Sequence, residues 1–140
     1  LLGPASVREV VDSLAPTRIG HGVRTSEDPA LLRAVVDAGI ALEVCPTSNV
    51  HLGVFTDFSQ VPLPTLLEAG ARVALSADDP LLFRSRLVAQ YEVARDVFGL
   101  SDRALADLAR SSIDASLASP TRKAAWKEAI DAWLAAPPAP

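Results

Sequence analysis

Val73-Ala74-Leu75-Ser76-Ala77-Asp78-Asp79-Pro80 is a short apolar run that meets two carboxylates and stops at a proline. An apolar run of this length between turn formers reads as a buried strand. Pro80 has no N–H to give to a ladder, so the strand ends before it. Asp78 and Asp79 therefore fall at the carboxyl end of an interior strand. Two adjacent carboxylates there repel each other and lose hydration unless a metal ion, a proton or a ligand neutralises them.

Upstream of this stretch, apolar runs alternate with helical patterns. Ser6 is expected to cap a helix over 7–14, with Glu9 closing a capping box. Thr17 to Gly20 reads as a short strand leading to His21, which is flanked by Gly20 and Gly22. Asp28-Pro29 opens a helix with Asp28 as its cap, and Gly39 closes it. Ile40 to Val44 is a second strand, followed by Cys45-Pro46-Thr47-Ser48-Asn49 as a polar loop. Residues 50–61 show no regular pattern, and 62–69 read as a short helix before the Asp-bearing strand.

Beyond Pro80 the pattern is helical throughout. Leu87, Tyr91, Ala94 and Phe98 share one face, Ser101 caps a second helix to about residue 117, and Ser119-Pro120 opens a third. Trp126, Ile130, Trp133 and Leu134 are spaced as core residues of that third helix. Pro137 to Pro140 reads as a Pro-rich tail, so the domain is expected to span 1–136.

Strands alternating with helices imply right-handed crossovers and a parallel sheet. The carboxyl ends of three parallel strands lie side by side. His21, the Cys45 to Asn49 segment and the Asp78-Asp79 pair are thereby brought to one edge, where ligands gather in α/β folds.

Composition narrows the function. The 140 residues suffice for one domain with a core, and 49% of them are hydrophobic. Thirteen basic against seventeen acidic residues give a net charge of -4, which offers no footprint for nucleic acid or an anionic membrane. No apolar stretch reaches the roughly 18 residues of a membrane helix. A single cysteine, Cys45, excludes an internal disulfide, and cytoplasmic residence is expected.

A histidine and two carboxylates on one edge suit metal-assisted hydrolysis, because imidazole and carboxylate both bind zinc. A structural reading stands beside that one. In it, Asp78 caps the following helix and His21 is simply satisfied between its glycines. His51 is expected to be exposed, and Cys45 to behave as a small buried hydrophobe. Ser48 lacks the G-x-S-x-G elbow of an acyl-transfer serine, and Gly20-x-Gly22 lacks the rest of a dinucleotide fingerprint.

Three segments in order carry a family resemblance. Arg18-Ile19-Gly20-His21-Gly22, then Glu43-Val44-Cys45-Pro46-Thr47-Ser48-Asn49, then Ser76-Ala77-Asp78-Asp79-Pro80 resemble successive motifs of the adenosine deaminase family. The resemblance implies the C-terminal part of a zinc-dependent (β/α)8 TIM barrel, with three parallel strands alternating with helices and three closing helices. It also implies hydrolysis of the 6-amino group of a purine nucleoside, adenosine or deoxyadenosine, to inosine and ammonia. By the same resemblance Asp78 is a zinc ligand that also holds the attacking water. Asp79 bonds the purine N7, and His21 orients the water and stabilises the charge that forms. Cys45, Ser48 and Asn49 line and support the site. The cytidine-type zinc deaminases use H-x-E and P-C-x-x-C instead, and neither occurs here.

Two departures refine this. The family's H-x-H pair and its H-A-G-E segment are absent, since the only histidines are His21 and His51. The remaining zinc ligands and the catalytic glutamate are therefore expected in a missing N-terminal part of the barrel, and the chain by itself is expected to be inactive. Ser76 stands where the family usually has asparagine, which leaves other 6-aminopurines such as adenine or aminodeoxyfutalosine as substrates. A reading of another class is a non-catalytic α/β module with a structural Asp pair.

Overall fold

The structure is a computed structural model that describes residues 2–136. The tail expected at 137–140 lies outside the described residues. Helix α1 (Pro4–Leu14) leads into strand β1 (Arg18–Gly20), helix α2 (Pro29–Asp37) and strand β2 (Ala41–Val44). Helices α3 (Pro46–His51) and α4 (Leu63–Glu68) follow, then strand β3 (Arg72–Leu75). Helices α5 (Leu87–Asp96), α6 (Asp102–Ala115) and α7 (Pro120–Ala135) close the chain.

The three strands form one parallel sheet in the order β1-β2-β3. Ile19, Leu42 and Val73 lie in register across it. Successive side chains on a strand face opposite sides, so Gly20, Glu43 and Ala74 share the other face. Leu42 and Val73 are fully buried, and Leu31, Val35, Leu63 and Leu66 of α2 and α4 belong to the same apolar cluster. Burying side chains of this kind is worth about 1.5–3 kcal/mol each relative to exposure. Gly20 is exposed, and Glu43 and Ala74 are only partly covered. The sheet is therefore sealed by helices on one face and left open on the other.

Several expected features are present. Asp28 caps α2, its Oδ1 accepting from the N–H groups of Ala30 and Leu31 at 3.0 and 3.1 Å. Ser101 and Ser119 cap α6 and α7 through their side chains. His51 is exposed, as expected, although it ends helix α3 rather than lying in an irregular stretch.

Other expectations are corrected. Helix α1 begins at Pro4 with no side-chain cap, and Ser6 Oγ instead donates to the Gly3 carbonyl at 3.1 Å. Proline's preset φ suits the first helical position, so the helix starts before the serine. The Cys45 to Asn49 segment is not a loop, because Pro46 opens α3 directly after β2. Six residues are too few for a hydrophobic period to register. The stretch 50–61 contains the end of α3 and a short 3-10 turn at Phe58–Gln60.

Residues 76–86 are not helical, and α5 starts only at Leu87, which is itself exposed. Helix α7 buries none of its residues, and Trp126 and Trp133 are 44% and 51% exposed. Their core-like spacing had no partner on the outer side, since α7 packs on α6 alone among its larger contacts. Among the described residues no helix is long and apolar enough to cross a membrane.

Candidate active site

Sheet pairing carries the site residues past the ends of the strands. His21 N–H donates to the Glu43 carbonyl at 2.9 Å, and Ser76 N–H donates to the Val44 carbonyl at 2.9 Å. The backbone then turns abruptly. His21 and Asp78 both adopt left-handed φ values, 58° and 59°. Non-glycine residues there are strained by about 1–3 kcal/mol each and cluster at functional sites. Gly22 follows His21 at φ 68°, and a Cβ on it would come within 2.6 Å of Leu42 Cδ2. Only glycine lets the chain leave β1 so close to the sheet.

Four side chains meet at this edge. Ser48 Oγ–H donates to Asp78 Oδ2 at 2.6 Å, a short charge-assisted bond. Asp78 Oδ2 also lies 3.5 Å from His21 Nε2. On the other side of the ring, Asn49 Nδ2 donates to His21 Nδ1 at 3.2 Å. That bond places the ring proton on Nε2, facing Asp78. Ser48 and Asn49 are fully buried neighbours on α3, so one short helix orients both the carboxylate and the imidazole. Asn49 Oδ1 is buried without a partner.

His21, Cys45 and Asp78 each offer a donor atom, and the three lie within 4.8 Å of one another. Nitrogen, sulfur and carboxylate oxygen are the donor types zinc uses. The 3.5 Å between His21 Nε2 and Asp78 Oδ2 is close to the separation of two ligands about 2.0–2.2 Å from one zinc ion. Asp78 is exposed and so remains open to an ion. The donor types and spacing at this edge fit a metal, which Asp78 and His21 could hold or flank. Cys45 is otherwise occupied. It is buried, its thiol donates to the Glu43 carbonyl at 3.3 Å, and burial pushes its pKa up to about 11. It is a protonated packing residue rather than a nucleophile at neutral pH.

Asp79 stands one residue on and is turned differently. Its Oδ1 accepts from the N–H groups of Leu81 and Leu82, both at 2.9 Å. The expected helix cap thus falls on Asp79 rather than Asp78, and it holds a turn rather than a helix. The carboxylate stays exposed at the rim of the site.

Sequence reasoning missed one cluster altogether. Gln90 of α5 is fully buried and bonds Thr47 and Ser85, which flank the site on two different segments. The signal was available. Gln90 lies three residues after Leu87 and one before Tyr91, a polar side chain on an otherwise apolar stripe.

The chain is similar to proteins of one kind. The family described as adenosine deaminase matches residues 1–133. A Streptomyces coelicolor protein named as an adenosine/adenine deaminase is 53% identical over 97% of this chain and 40% of its own length. The crystal structure of adenine deaminase from Arthrobacter aurescens superposes with a TM-score of 0.91 at 34% identity, covering 96% of this chain and 41% of that one. An amidohydrolase from Burkholderia ambifaria, solved with bound Zn, shares the fold at a TM-score of 0.82 and 24% identity, over 94% of this chain and 37% of that one. The chain thus spans about 40% of the length of the relatives it matches.

Proposed function

The chain belongs to the adenosine deaminase family, its strands and helices corresponding to the C-terminal part of that family's barrel, and from this we infer its function. We propose that it supplies one side of a zinc-dependent active site that removes the 6-amino group of a purine by hydrolysis. The observation that carries this reading is the Ser48–Asp78–His21–Asn49 chain of contacts at the carboxyl edge of the sheet.

Asp78 is the residue to hold the metal, with its carboxylate oriented by the Ser48 hydroxyl. A zinc ion, when bound, supplies hydroxide at neutral pH by lowering the pKa of water to about 7. His21, its proton directed to Nε2 by Asn49, positions the attacking water and stabilises negative charge as it reaches C6. Asp79, at the rim, hydrogen-bonds the purine ring at its acceptor nitrogen N7. Preorganised donors of this kind cost no rearrangement at the moment of reaction. The other zinc ligands and the proton-donating glutamate belong to the part of the barrel outside this chain. The relatives' names include both adenine and adenosine, so the proposal covers the free base and the nucleoside.

The test is ammonia release from adenine, adenosine and deoxyadenosine by the complete zinc-loaded barrel, compared with the 140-residue chain alone. Release by the complete protein and none by the chain is the expected result. A complete, zinc-loaded protein that deaminates no 6-aminopurine would overturn the proposal. Turnover by the chain alone would overturn the assignment of the missing ligands to the rest of the barrel.

A further inference from the structure

We propose that Gln90 is a positioning residue for this site, a reading that rests on the function proposed above. Helix α3 carries Ser48 and Asn49 yet begins without a cap of its own. Cys45 makes no side-chain bond there, and Pro46 has no N–H to satisfy. The first N–H needing a partner is that of Thr47, in a buried residue. Leaving such a group unpaired costs about 1–3 kcal/mol. Gln90, 43 residues further on, supplies the missing acceptor, its Oε1 taking the Thr47 N–H at 3.0 Å.

The other half of the amide reaches a second segment. Gln90 Nε2 donates to Thr47 Oγ1 at 2.8 Å and to Ser85 Oγ at 2.6 Å. Both amide hydrogens and the carbonyl oxygen are thereby used, and all three residues are buried. Ser85 sits at the far end of the 76–86 segment that carries Asp78 and Asp79. That segment holds two left-handed non-glycine residues, Asp78 at φ 59° and Arg84 at φ 49°. Strained backbone persists only where its surroundings fix it. One end is fixed by β3 and the other by Ser85 on Gln90.

A single buried amide therefore holds α3 and the Asp-bearing segment against each other. The 2.6 Å bond from Ser48 to Asp78 crosses between the same two segments. Gln90 touches neither metal nor substrate, so its effect passes through Thr47 and Ser85. A misplacement of 1 Å at reacting groups can cost about 100-fold in rate.

The experiment compares Gln90→Leu, Gln90→Glu and Ser85→Ala in the complete zinc-loaded protein. Leucine keeps the volume and removes all three bonds. Glutamate can accept from the Thr47 N–H and from both hydroxyls, so it keeps the clamp. The readouts are kcat and KM for adenine and adenosine, melting temperature, and the rate of zinc release to excess chelator. Gln90→Leu is expected to lower kcat about 10- to 100-fold, with KM within about threefold, and to release zinc at least about fivefold faster. Gln90→Glu is expected to recover most of both losses.

A lowered melting temperature with kcat and zinc release both near wild type would overturn the proposal. So would a glutamate variant as impaired as the leucine one. If Gln90→Leu fails to fold, Ser85→Ala decides, because it removes one arm of the clamp and leaves Gln90 bonded to Thr47. It is expected to show a smaller change of the same kind, and no change would count against Gln90. If the wild-type protein releases no ammonia, the deaminase reading falls, while zinc release still tests Gln90.

Discussion

The carboxyl edge of the sheet and the outer helix α7 are built in opposite ways. At the edge, Ser48, Asn49, His21 and Asp78 contact one another through hydrogen bonds and a 3.5 Å approach of the His21 ring to the Asp78 carboxylate. Two of the four residues hold strained backbone to do so. Along α7, by contrast, no residue is buried, and both tryptophans stand half-exposed. That helix is held by surface ion pairs to α6, Lys127 with Asp114 and Arg110 with Asp131. An apolar groove of about 480 Å³ lies beside it, lined by Val88, Tyr91, Leu105, Ala109, Ile130 and Trp133. Its charged lining residues, Glu92 and Arg95, are exposed, and Arg95 is paired with Asp102. Polar convergence and strain mark the working edge, whereas apolar exposure alone does not.

The comparison is sharpened most by Asp78. In the complete barrel, Asp78→Ala should lose zinc and deamination together, with activity falling to background. Metal content by mass spectrometry alongside ammonia release checks this. Retained zinc with full activity would make the edge structural rather than catalytic.

Asp79 should give a smaller and different loss. Asp79→Ala is expected to keep zinc and lower kcat/KM about 10- to 100-fold, the worth of a charged hydrogen bond of roughly 1.5–3 kcal/mol. Truncation also frees the N–H groups of Leu81 and Leu82. Asp79→Ser separates the two effects, since its hydroxyl oxygen can still accept from the turn N–H groups but is too short to reach the purine ring. If serine restores kcat/KM fully, Asp79 serves the turn rather than the substrate.

Gly22 tests whether the strained edge is also structurally exacting. A Cβ there meets Leu42 Cδ2 at 2.6 Å in a left-handed backbone, so Gly22→Ala should destabilise the complete protein by about 1–3 kcal/mol. Denaturant unfolding measures it, and an unchanged midpoint would mean that the β1 exit tolerates displacement.

A pH experiment reaches a third place, the junction of α1 and α2. The Arg8 guanidinium, 2.6 Å away, and the capped N–H groups hold the Asp28 carboxyl below its usual value of 3.8. The sign follows from linkage. A depressed folded-state pKa gives stability that is whole above the unfolded value and is lost as pH falls through the lower one. Asp28→Ala should therefore destabilise the protein near neutrality and lose stability less steeply than wild type below pH 3.8. Parallel acid unfolding curves for the two proteins would count against this.

The smallest effect is expected on α7. Trp126→Ser should shift stability by no more than about 0.5 kcal/mol and leave deamination unchanged, as at other surface sites. A large loss in the complete barrel would show that this face is covered there, and would weaken the contrast with the carboxyl edge of the sheet.

Much of this was legible in the sequence. Short apolar runs bounded by Gly, Pro and Asp announced three strands, and intervening helices required them to be parallel, because a parallel crossover needs a helix-length connection. That alone brought His21, the Cys45 to Asn49 segment and Asp78 to one edge. Caps at Asp28, Ser101 and Ser119 were readable because their chemistry is local. Tertiary structure decided what depends on distant partners. Helix α3 is too short to carry a period and takes its N-terminal acceptor from Gln90, 43 residues away. The two aspartates, adjacent in the chain, part company because Asp78 meets Ser48 across 30 residues while Asp79 bonds its own following backbone. The tryptophans of α7 have core spacing, yet spacing specifies only which side chains share a face. Whether that face is covered depends on what packs there.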